Sequence, residues 1–140
     1  MENKVYLVGG WIIESSGINL FTGFFNAKRE SSDDFAISGK LNDTWGESRI
    51  NGHLGLNKLE FEKVYLGQAP NIINYRFSKN NDGIFIGKYS FERSDLSGES
   101  VCEVFPLSFY VPENLATQFR SVDSMIEGMI EDRLIMFNQE

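Results

Sequence analysis

One lysine stands where an unpaired lysine is expensive. Lys63 sits in the run Leu59-Glu60-Phe61-Glu62-Lys63-Val64-Tyr65, whose period of two puts Leu59, Phe61, Lys63 and Tyr65 on one face of a strand. An ammonium buried on such a face without a partner is strongly unfavourable. Two arrangements relieve it. In the first, Lys63 holds a carboxylate or phosphate of a bound molecule, with Tyr65, Tyr75 and Tyr89 as hydroxyl partners. In the second it is structural, reaching solvent at a rim or pairing with Glu99 or Glu103, which the alternation of the last strand places inward. The candidate binding set on this face is Trp11, Phe61, Lys63, Tyr65, Tyr75, Phe77 and Tyr89.

Other chemistry is thinly represented. His53 is the single histidine and phases outward beside Asn51, as a surface imidazole. One histidine and one cysteine cannot assemble a zinc site of the usual ligand count, so no metal is expected. Cys102 has no base near it in sequence and reads as a packed thiol. Asn42-Asp43-Thr44 matches a glycosylation sequon, but in a chain without a secretory signal it reads as a turn. No phosphate-cradling glycine loop and no nucleophile elbow appear, so neither a cofactor nor a catalytic centre is expected.

The elements that must position this face are strands. Eight segments have strand character: about Val5–Ile13, Leu20–Asn26, Phe35–Leu41, Glu47–Leu54, Lys58–Leu66, Ile72–Ser78, Ile84–Glu92 and Glu99–Phe109. The punctuation between them, such as Ser15-Ser16-Gly17 and Asn80-Asn81-Asp82-Gly83, is too short for the crossovers that parallel strands need. Consecutive antiparallel pairing follows. Five segments share the pattern apolar-x-Gly-x-apolar: Leu7-x-Gly9-x-Trp11, Phe21-x-Gly23-x-Phe25, Ile37-x-Gly39-x-Leu41, Ile50-x-Gly52-x-Leu54 and Phe85-x-Gly87-x-Tyr89. Glycine weakens a strand interior, and its recurrence at one phase is explained by a sheet that coils into a barrel with these glycines on the concave face. Eight strands make a barrel whose interior is filled by side chains or holds one small ligand. From Pro112 the period changes: Leu115, Phe119, Val122, Ile126, Met129, Ile130, Leu134 and Phe137 follow helical spacing. The expected organisation is one all-β domain over 1–140, with barrel strands over 1–111 and an amphipathic helix over 112–140.

Eight meandering, glycine-coiled strands with a final helix resemble the calycin superfamily, which includes lipocalins, fatty-acid-binding proteins and avidins. Gly9-Gly10-Trp11 is similar to the Gly-x-Trp of the first lipocalin strand. The resemblance implies a calycin-like barrel and carries no particular ligand with it.

Composition bounds the partners. The chain has 140 residues, a formal charge of −7 and a pI near 4.7, which disfavours nucleic acid and anionic membranes. The apolar run ending at Ile13 is too short to span a bilayer and lacks a basic lead-in and a cleavage site. A lone cysteine suits a reducing cytoplasm. The leading expectation is a non-enzymatic protein that binds a small apolar or amphipathic molecule, acidic ones included, inside the barrel. The alternative is a filled barrel acting as an interaction or structural module, with the helix, where Leu134-Ile135-Met136-Phe137 are consecutive, as the contact for a second copy.

Overall fold

The computed structural model describes residues 3–67 and 71–106, and all the regular structure there is β. The strands are β1 (Asn3–Glu14), β2 (Gly17–Ser31), β3 (Asp34–Asp43), β4 (Gly46–Gly55), β5 (Lys58–Tyr65), β6 (Ile73–Lys79), β7 (Phe85–Phe91) and β8 (Ser97–Pro106). Each pairs antiparallel with its sequence neighbour, and β8 returns to β1 and closes the barrel. The meander read from the short connections is the observed topology. The helix expected over 112–140, and the contact with a second copy expected of it, lie outside the described residues.

Side chains alternate as the repeat requires in six strands. Phe21 and Phe25 of β2, Ile37 and Leu41 of β3, Ile50 and Leu54 of β4, Leu59 and Phe61 of β5, Tyr75 and Phe77 of β6, and Phe85 and Tyr89 of β7 all join one buried cluster. The concave-face glycines sit where neighbouring backbones come closest. A Cβ on Gly23 would run into the Lys40 carbonyl of β3, and one on Gly87 into the Arg76 carbonyl of β6. Tight coiling therefore excludes any side chain at these positions.

The first and last strands correct the expected phase. Gly10, not Gly9, points inward: it lies opposite Phe21 on β2 and Cys102 on β8, and an added Cβ would come within 2.7 Å of Phe21 Cζ. The adjacent glycines of β1 let two frames fit the same repeat, and cross-strand register selects Val8-x-Gly10-x-Ile12. Leu7, Gly9 and Trp11 consequently face outward. Trp11, expected inside the barrel, pairs with Leu20 and Val101 on the outer wall, and its Nε1 is buried without a hydrogen-bond partner among the described residues. Strand β8 shifts with it. Cys102 and Ser100 are inward and fully buried, while Glu99 and Glu103 take the opposite phase, Glu99 exposed opposite Lys88 and Glu103 buried.

Phe21, Phe25, Leu41, Ile50 and Leu59 are essentially inaccessible, so the middle of the barrel is solid. Space remains toward the ends, where cavities of about 300 Å³ lie beside the β1–β2 and β3–β4 turns and, opposite, around Tyr6, Phe35 and Leu56.

Candidate functional site

The cavity beside the β1–β2 and β3–β4 turns holds the chemistry. Tyr65 from the end of β5, Tyr75 from β6 and Tyr89 and Phe91 from β7 give it aromatic walls, and Trp45 at the tip of the β3–β4 turn lies across it. Ile12 and Ile73 supply aliphatic surface; Glu14 and Asn71 are the polar members. The rings pack on one another: Phe61 stacks on Tyr75 at 4.9 Å between centroids, Tyr75 lies 5.5 Å from Tyr89, and Tyr89 meets Phe91 edge-on. Aromatic packing of this kind fixes the walls before any ligand arrives.

Beneath this cavity Lys63 is completely buried, and its partner is Asp43. Period two from Leu41 sends the Asp43 side chain inward at the last position of β3. Its Oδ2 accepts from Lys63 Nζ at 2.5 Å and from the Tyr65 hydroxyl at 2.6 Å, and its Oδ1 accepts from the backbone N–H of Trp45 at 2.8 Å. The last bond is an Asx turn, which stabilises the tight connection that Gly46, at φ 119°, completes. One carboxylate thus neutralises the buried lysine, orients Tyr65 and pins the turn that carries Trp45. The ammonium also lies 4.6 Å from the Tyr65 ring centroid and 5.5 Å from that of Tyr75.

Burial sets the protonation of this end of the barrel. Desolvation lowers the Lys63 pKa below the ordinary lysine value, opposed by its hydrogen bond and attraction to Asp43. Desolvation raises both Tyr65 and Tyr75, and the Asp43 charge raises them further, so neither hydroxyl ionises at neutral pH. Tyr89 is also raised, by burial first and then by Glu14, and its hydroxyl donates to the Ile13 carbonyl at 3.3 Å.

Of the seven residues expected to form a binding face, Tyr65, Tyr75 and Tyr89 line the cavity. Lys63 lies behind it, Phe61 and Phe77 belong to the core, and Trp11 is outside. The expected partners of Lys63, Glu99 and Glu103, are replaced by Asp43. Asp43, Glu14 and Trp45 escaped the sequence reading because they sit at hairpin ends, where turn function masks strand phase; the step of two from Leu41 to Asp43 is the signal that was there to use. Elsewhere, His53 is on the surface as expected, with Nδ1 at 3.4 Å from Asp34 and 3.7 Å from Glu30, all half-exposed.

No protein-family model matches the chain, and no curated protein does. Among solved structures it is similar to EF1p2_mFAP2b bound to DFHBI, with a TM-score of 0.51 and 8% identity over 73% of this chain and 90% of that one. It is also similar to a redesigned β-barrel, mFAP1, bound to DFHBI, with a TM-score of 0.48 and 10% identity over 73% of this chain and 91% of that one. At such identities the likeness extends to the closed eight-stranded antiparallel barrel and stops there.

Proposed function

We propose that this protein is a non-enzymatic carrier or receptor for a small, largely apolar molecule held at the β1–β2/β3–β4 end of the barrel. The observation that carries the reading is the cavity of about 300 Å³, walled by Trp45, Tyr65, Tyr75, Tyr89 and Phe91 above a solid core. Aromatic walls with a few placed polar groups are the usual composition of a small-molecule site, and this volume is at the small end of such sites. The solid core separates this cavity from the one at the opposite end and favours a compact ligand over a long acyl chain threaded down the axis. That EF1p2_mFAP2b, a barrel of this fold, is bound to the small molecule DFHBI supports the reading by analogy of fold only. The calycin resemblance adds support of the same kind.

Catalysis has little to work with here. The tyrosines facing the cavity are held protonated, and the buried thiol of Cys102 is pushed above its ordinary value by burial and by Glu103. The outer positions of β4–β7 carry Arg49, Glu60, Glu62, Arg76 and Lys88, a wall suited to water. With the buried free Cys102, this favours a cytoplasmic protein.

Native mass spectrometry of the protein as purified tests the reading together with solution NMR against small neutral aromatic probes such as indole. The expected result is a retained adduct or saturable shifts confined to Trp45, Tyr75 and Tyr89. Shifts spread over the outer wall, or none at millimolar probe, would overturn it.

A further inference from the structure

We infer that the molecule held in this cavity is an organic cation, recognised by an aromatic box closed by the Glu14 carboxylate. The inference rests on the binding reading above and gives it a chemical class.

An acidic ligand would need a cation to meet it, and the cation buried at this end of the barrel, Lys63, is committed. The Lys63 ammonium and the Tyr65 hydroxyl both donate to Asp43 Oδ2, and the Tyr89 hydroxyl donates to the Ile13 carbonyl. The Lys63–Asp43 pair carries no net charge, and both side chains are inaccessible. Among the described residues that line the cavity, Glu14 alone carries a formal charge. Asn19 Nδ2 and Ser16 Oγ approach its Oε2 at 3.3 and 3.5 Å, neither of them a cation, and no ion-pair partner for Glu14 is found among the described residues. Its charge reaches the cavity: it is among the influences that raise Tyr65, Tyr75 and Tyr89.

The walls favour the same sign. Faces of Trp, Tyr and Phe rings attract cations through their quadrupole, most strongly where water is excluded. The barrel already uses this attraction, since Lys63 Nζ sits over the rings of Tyr65 and Tyr75. Trp45 and Phe91 add aromatic surface to the same cavity, which Glu14 lines from the end of β1. A quaternary or protonated amine attached to a compact apolar body meets the charge, the aromatic surface and the volume together.

Three benzyl probes separate charge from fit: benzyltrimethylammonium, its carbon isostere neopentylbenzene, and the smaller anion phenylacetate. Binding is followed by the NMR shifts of the Trp45 indole and the Tyr75 and Tyr89 rings. The cation should bind at least about five-fold more tightly than the neutral isostere. The E14Q variant, isosteric at a half-buried position, should shrink the cation's advantage over neopentylbenzene, leaving the part that the ring faces supply. Equal or tighter binding of neopentylbenzene or phenylacetate to the unaltered protein would overturn the assignment of charge while the cavity reading stands, as would a cation preference undiminished in E14Q. Failure of all three probes to shift the cavity resonances would overturn both.

Discussion

Replacing Asp43 by Asn removes one charge and almost no volume, and it isolates what the buried pair does. The Asn side-chain oxygen can still accept from the Trp45 N–H, so the Asx turn survives. The Lys63 ammonium, wholly inaccessible, is left with ring faces and no counter-charge. At an effective dielectric of about 20, opposite charges 2.5 Å apart attract by about 7 kcal/mol before desolvation is counted. Stranding one member of such a buried pair costs about 3–5 kcal/mol net. For a domain of this size that is a fall in Tm of roughly 10–15 °C. K63M should cost less, about 1–3 kcal/mol, because the Asp43 carboxylate keeps the Tyr65 hydroxyl and the Trp45 N–H as donors. The double variant D43N/K63M leaves no stranded charge and should return to within about 1 kcal/mol of the starting protein. Urea unfolding followed by circular dichroism on all four proteins closes the cycle, with an expected coupling of at least about 2 kcal/mol. If the single costs simply add, with coupling below about 0.5 kcal/mol, the pair is not an energetic unit and the reasoning fails.

The remaining predictions concern protonation and coiling. Tyr75 has its pKa raised by burial first and by the Asp43 charge second, so the unfolded chain releases that proton from about pH 10 while the folded barrel keeps it. Its contribution is present below pH 10 and is lost as pH rises beyond it, by about 1.4 kcal/mol per pH unit. Denaturant melts of Y75F should lack that component, and parallel stability–pH curves for the two proteins above pH 10 would contradict the shift. G87A places a methyl group against the Arg76 carbonyl and should destabilise by at least about 2 kcal/mol, measured by the same unfolding assay; a change within about 0.5 kcal/mol would mean the β6–β7 backbones part at no cost.

What the chain declares by itself is whatever depends on local pattern. Eight strands in meander order follow from turn residues spaced too closely for crossovers, and the glycine phase in β2, β3, β4 and β7 follows from period two. The burial of Lys63 and the cavity positions of Tyr65, Tyr75 and Tyr89 were legible for the same reason. Three features needed the closed barrel. The phase of β1 was ambiguous because Gly9 and Gly10 both satisfy the repeat, and only pairing with Phe21 and Cys102 selects Gly10. The plugged middle depends on ring volumes from strands distant in sequence meeting at one height, which alternation does not encode. The partner of Lys63 was invisible because Asp43 is twenty residues away and on a strand, β3, that β4 separates from β5. Closure curves the wall until side chains of non-adjacent strands meet across its interior, and that contact turned an apparent ligand anchor into a structural pair and left Glu14 as the charge that faces the cavity among the described residues.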